Sequence, residues 1–163
     1  MPTSTIKTAD QPHHLTYGWQ HAPDGRSVAN EYLIEARDRS ATVLRAVISG
    51  FLPGDDWADE FEAMQYGNAL FFATLTEYLR HFPGRNLTPA TQFGPPVTDW
   101  DATWTTLHQH LGLSADPQPG DRTTDGGHVY HRNPHTLGIR TAHGLHRYLR
   151  GFHGAMVTAH SHL

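Results

Sequence analysis

The chain has 163 residues, 37% of them apolar, with a formal net charge of −4 and no cysteine. That length suffices for one domain with a real core, and four Trp, seven Phe and six Tyr weigh against wholesale disorder. The lack of cysteine excludes disulfides, thiolate catalysis and cysteine-based metal sites.

The N-terminal stretch from Met1 to Pro12 is polar, without the apolar run of a signal peptide. The longest apolar cluster, Ala69 to Ala73, is too short to span a bilayer. The expectation is a soluble cytoplasmic protein. Residues 1–163 read as a single helical domain, with 1–26 a loosely ordered arm that carries His13, His14 and His21.

Apolar spacing predicts four helices. The first runs from about Val28 to Ile48, with Leu33, Ala36, Leu44, Val47 and Phe51 on one face and Ser27 as N-cap. The second runs from about Trp57 to Phe82, capped by Asp55 or Asp56. Its stripe is Trp57, Phe61, Met64, Asn68, Phe71, Leu75, Tyr78 and Phe82, and Pro83-Gly84 ends it. Residues 83–97 read as a loop. Thr98 or Asp99 caps a short third helix with Trp100, Trp104, Leu107 and Leu111, closed by Gly112. Residues 114–127 form a second Pro/Gly-rich loop, and Val129-Tyr130 is compatible with a strand. Asn133-Pro134 reads as N-cap plus first helical residue of a fourth helix reaching about His160. The predicted class is all-α, a single-domain helical bundle of about four helices with two long loops.

Histidine is concentrated at the C-terminal end. Ten of fourteen lie from His108 onward, and Gly126 to Leu163 holds eight His and four Arg with no Asp or Glu. Residues 1–125 therefore carry sixteen acids against eight bases, and the remainder carries +4. Acids such as Glu31, Glu35, Glu60, Glu62 and Glu77 are available to neutralise it.

On a helix at 100° per residue, Leu145, Tyr148, Leu149, Phe152, Met156 and Ala159 form an apolar arc. Beside it stand His135, His143, His146, Arg150, His153 and His160. Three interior glycines, Gly144, Gly151 and Gly154, cost such a helix about 1 kcal/mol each. Imidazole and guanidinium on one face suit acid–base work and the binding of anions. His143, His146, Arg150 and His153 are thus the candidate catalytic residues, with Asn68 and Glu60 the candidate cofactor-binding positions. Asn68 interrupts an apolar stripe and so needs a polar partner.

Pairs at i, i+3 or i, i+4 on a helix can share one ion, which makes His143/His146 and His131/His135 candidate ligands for a divalent transition metal. Further ligands are then required from Glu60, Asn68, His81, His108 or His110. No His-Glu-x-x-His or Glu-x-x-His motif supports the site.

Two functions remain open. One is a small enzyme or binding protein for a small polar, anionic or aromatic molecule, metal-assisted or not. The other is a non-catalytic binding or oligomerisation module, a homo-oligomer whose His-rich C-terminal helix is a pH-sensitive interface. Nucleic acid fits poorly with a pI near 6.4 and a single lysine. Peripheral membrane binding lacks a basic amphipathic helix.

Overall fold

The computed structural model describes residues 4–19, 28–37, 41–50, 58–151 and 154–163. They form nine strands and two helices, in the order β1 (Ser4–Asp10), β2 (His14–Trp19), β3 (Val28–Arg37), β4 (Ala41–Ser49), α1 (Ala58–His81), β5 (Thr88–Pro96), α2 (Trp100–Leu111), β6 (His128–Asn133), β7 (Thr136–Thr141), β8 (Gly144–Arg150) and β9 (Ala155–His162). The strands make two antiparallel sheets, β1-β2-β3-β4 and β5-β9-β8-β7-β6. The all-α expectation is wrong. The chain divides into two compact units, residues 1–57 and 58–163.

In the first unit the expected helix over 28–48 is the β3–β4 pair, with Leu33 opposite Arg45 and Ile34 opposite Leu44. Alternation decides this. Ile34, Tyr32, Leu44, Ala46 and Ile48 fall on one face together with Leu15 and Tyr17 of β2. Glu31, Glu35 and Arg45 fall on the other. β-Branched and aromatic residues favour this pleated arrangement, and the 3/4 spacing noted along the same stretch drew residues from both faces. Within the expected N-terminal arm, β1 and β2 are strands: His14 lies in β2, with Nε2 2.8 Å from Glu31 Oε1. Ser27, Phe51, Asp55, Asp56, Trp57 and His21 fall outside the described residues.

In the second unit the expected second and third helices appear close to their expected bounds, as α1 and α2. Asp99 caps α2, its Oδ1 accepting from Ala102 N–H at 2.9 Å, and Gly112 closes it at φ 70°. The residues 83–97 are not a loop; they carry β5, an edge strand paired only with β9. An edge tolerates Pro89, Pro95 and Pro96, which lack a ladder donor.

The expected fourth helix is β7, β8 and β9. The glycines explain why. The Cβ of an alanine at 144 would run into the Ser161 carbonyl of the neighbouring strand, and Gly154 sits at φ 75°, outside the helical region. Asn133-Pro134 initiates a hairpin turn instead of a helix, with Asn133 Oδ1 accepting from His135 N–H at 3.0 Å.

The five-stranded sheet is covered on both faces. Val129, Leu137 and Ile139 pack on Trp104 of α2, with Trp100, Leu107, Leu111, Tyr148 and Met156 around them. On the opposite face α1 lies along β6, β7 and β8. Its contact line is Tyr66, Leu70, Thr74 and Glu77. Leu70 is buried, Thr74 Oγ1 meets Tyr130 Oη at 2.8 Å, and Glu77 accepts from Arg140 Nε at 2.8 Å. The stripe expected to point inward is displaced: Phe61 and Phe71 are 47% and 44% exposed.

The close strand approach makes a stability prediction. Gly144→Ala must push against a backbone carbonyl, so it should destabilise by about 1–3 kcal/mol. Among the described residues nothing lies within 4 Å of where an alanine Cβ at Gly67 in α1 would sit, so Gly67→Ala should stabilise by about 0.5–1 kcal/mol. Urea unfolding of the two variants gives both signs; equal effects would contradict the packing described.

Candidate functional site

Strand alternation redistributes the histidines. His146 on β8 lies opposite Ile139 and therefore faces α2. Its ring stands edge-on to His160 (centroids 4.9 Å apart) and His162 (5.4 Å), which are 5.8 Å from each other. Tyr148 extends the cluster, 5.3 Å from His160. Burial first, then the neighbouring imidazoles His146 and His162 and the Arg147 cation, push His160 down to about 4. Burial also lowers His146, followed by the field of His162. The cluster is thus a set of packed rings in which burial disfavours the charged form of His146 and His160.

The helix on which the two metal pairs were placed is absent, so their helical spacing no longer brings them together. His143 lies in the exposed turn between β7 and β8, off the face that carries His146. His131 Nε2 is bonded to Asn133 Nδ2 at 2.9 Å, while the His135 ring packs on Tyr66 at 4.5 Å, so Asn133 stands between them. In the His146 cluster, His146 Nε2 meets Thr141 Oγ1 at 3.2 Å and His160 Nδ1 accepts from Arg147 N–H at 3.3 Å. Among the described residues no group of three or more His, Asp or Glu is placed to hold a metal ion.

The other expected residues separate. Arg150 lies over Trp100, 5.2 Å from its ring, on the α2 side of the sheet. Asn68 belongs to α1, on the opposite side. It cannot meet His146 or Arg150 across the sheet, and it lies off the line by which α1 contacts the strands. His153 and the side chain of Glu60 fall outside what is described.

What the fold does bring together was singled out only in part. A cleft of about 480 Å³ opens beside α2, lined by Asp101, Trp104 and His108 of the helix, Asp116 of the following loop, and Arg132 and Asn133 of β6. Arg132 lies over Trp104, its Cζ 5.0 Å from the ring, a cation–π placement that keeps the guanidinium flat against the wall. Among the described residues its one hydrogen bond runs from Nη1 to Thr136 O at 3.5 Å, and Nε has no partner. A guanidinium offers five donors, so most of this one is unused. Burial holds it below its usual range, partly offset by the charge of Asp116.

His108 is 2% exposed. Its Nδ1 donates to Ala115 O at 3.1 Å, which fixes the neutral tautomer with Nε2 as a bare acceptor, and Nε2 has no partner. Burial lowers its pKa, so it stays neutral at pH 7. Four buried side-chain atoms among the described residues lack a partner, at a cost on the order of 1–3 kcal/mol each; two of them, Arg132 Nε and His108 Nε2, belong to residues lining this cleft, while His135 Nδ1 and Thr136 Oγ1 lie outside its lining. The cleft thus joins an underused cation, a neutral acceptor and two exposed carboxylates on an aromatic wall.

His108 was legible as a possible ligand, but Arg132, Asp101 and Asp116 were not. The available signal was the acid-free stretch from Gly126, in which Arg132 is the first arginine. Comparison with family models, with curated proteins and with solved structures finds no match to this chain.

Proposed function

We propose that the protein binds a small polar molecule with one carboxylate and at least one hydrogen-bond donor, an amino or hydroxy acid in chemical terms, in the cleft beside α2. The observation that carries this is the pair of unpartnered buried nitrogens, Arg132 Nε and His108 Nε2, in two residues of one cleft wall. Arg132 anchors the carboxylate through its planar fork. Neutral His108 accepts a proton donor from the ligand, and Asp101 and Asp116 accept from an ammonium or hydroxyl at the mouth. Two carboxylates in the lining disfavour a dianion and favour a zwitterion.

Calorimetric titration with serine, lactate and ethanolamine tests the reading. Serine and lactate are expected to bind and ethanolamine to fail, because only the first two offer Arg132 an anion. Arg132→Gln should weaken serine at least about tenfold, roughly 1.4 kcal/mol. Binding of serine that is unchanged in Arg132→Gln, or no binding of either acid, overturns it.

A further inference from the structure

A second cleft lies on the opposite face of the same sheet, between α1 and the strands β8 and β9. It holds about 570 Å³ and has a different chemistry. Leu75, Leu87 and Leu145 supply apolar walls, Arg85 and Arg147 supply positive charge, and Ser161 adds a hydroxyl. Among the described residues no carboxylate lines it.

Arg147 is the informative residue. It lies opposite Gly138 in the β7–β8 register, on the α1 side of the sheet. Its Nε donates to Ala159 O at 2.6 Å and its Nη2 to Ser161 Oγ at 2.8 Å, so the guanidinium is fixed by neutral acceptors alone. Burial depresses it, and the ionisable group that counters this is the Tyr130 phenol, itself pushed up to about 12 and therefore uncharged. A half-buried cation without a counter-ion is costly, and an anion entering the cleft relieves that cost. Arg140, on the same face of the preceding strand β7, shows the contrast: it is neutralised by Glu77 of α1 at 2.8 Å. Among the described residues the cleft beside Arg147 lacks such a partner.

We propose that this cleft is a second, separate ligand site, which takes a free monocarboxylate with a short apolar body, the chemistry of a medium-chain fatty acid. The carboxylate meets Arg147 and Arg85, and the alkyl chain lies on Leu75, Leu87 and Leu145. The proposal is independent of the α2 cleft, since the sheet lies between the two.

The probes are octanoate, octylamine and inorganic phosphate, titrated into the full chain by calorimetry. Octanoate is expected to bind at least tenfold more tightly than either of the others, because only it matches both the charge and the apolar wall. Arg147→Gln should weaken octanoate at least tenfold. Because Arg147 also ties β8 to β9, the exposed Arg85→Gln is the companion variant, expected to keep the melting temperature and weaken octanoate several-fold. Arg132→Gln should leave octanoate unchanged, which separates this site from the other. Equal binding of octanoate and octylamine means mere apolar partition, and equal binding of phosphate means mere charge; either overturns the proposal, as does octanoate affinity untouched by both arginine variants.

Discussion

Trp104→Ala should destabilise the second unit by about 3–5 kcal/mol, the range for deleting a large buried aromatic side chain. Trp104 is 6% exposed and stands at the centre of the α2 face of the sheet, against Val129, Leu137 and Ile139. Its ring is also 5.8 Å from His108 and 5.0 Å from the Arg132 guanidinium. Removing it therefore empties the core and takes away the wall of the cleft together. At this chain length each kcal/mol moves the melting temperature by about 2–4 °C, so a fall of about 6–20 °C is expected by calorimetry. Trp100 is only partly buried, and Trp100→Ala should cost less. A Trp104 variant no worse than the Trp100 variant would show that α2 is not seated as described.

Acidification should unfold the protein from a second direction. His160 is held near 4 and His146 below its usual range, each first by burial and then by neighbouring positive charge. In the unfolded chain both return to about 6.5. Between these values the unfolded state binds more protons than the folded one, so stability rises with pH and falls as pH drops. The contribution is fully present above about pH 6.5 and is lost progressively toward pH 4. The groups facing the cluster do not reverse the sign. Arg147 opposes protonation; Asp125, held below its usual range chiefly by its hydrogen bond from Thr123, attracts it only weakly through space. After allowing for solvent screening, the cluster should account for about 1–2 kcal/mol, or about 2–8 °C in melting temperature between pH 7.5 and 4.5. His160→Gln should flatten that dependence. A melting temperature independent of pH over this interval, or a slope retained in His160→Gln, would remove the cluster from the account.

The parts of the fold that the sequence made legible are those with local causes. Asp99 and Gly112 bracket α2 because a cap and a left-handed terminus are short-range chemistry, and the 24 residues of α1 carry a sustained periodicity. The strands were misread where two periods coexist. Along β8, His146, Tyr148 and Arg150 alternate with Leu145, Arg147 and Leu149, yet several of the same residues satisfy a helical arc when Met156 is added from the next strand. The seven-residue spacing of His146, His153 and His160 likewise suggested one helical ladder. The real neighbours are His146, His160 and His162, joined across two antiparallel strands. Such pairing depends on the register between the two consecutive strands β8 and β9, which a helical reading of the stretch does not encode.

The site was legible to a similar degree. The acid-free stretch drew attention to the C-terminal arginines, but which of them stay without a carboxylate depends on tertiary packing. Arg140 meets Glu77 from 63 residues away. Arg132 is carried by β6 to Trp104 and His108 of α2, and no spacing rule links those three positions. Asn68, a candidate cofactor-binding position, lies on α1, and the sheet separates it from His146 and Arg150 on the α2 side.

The most direct measurement follows the two unpartnered nitrogens themselves. In 15N-resolved NMR of the full chain, the Arg132 Nε–H and His108 Nε2 resonances can be observed while serine is added. The account predicts that both move in a saturable way with the same dissociation constant as calorimetry gives, Arg132 as a donor gaining an anion and His108 as an acceptor gaining a proton donor. It also predicts that His146 and His160 stay still. Resonances of Arg132 and His108 that remain unmoved at saturating serine would contradict the claim that this cleft is the binding site.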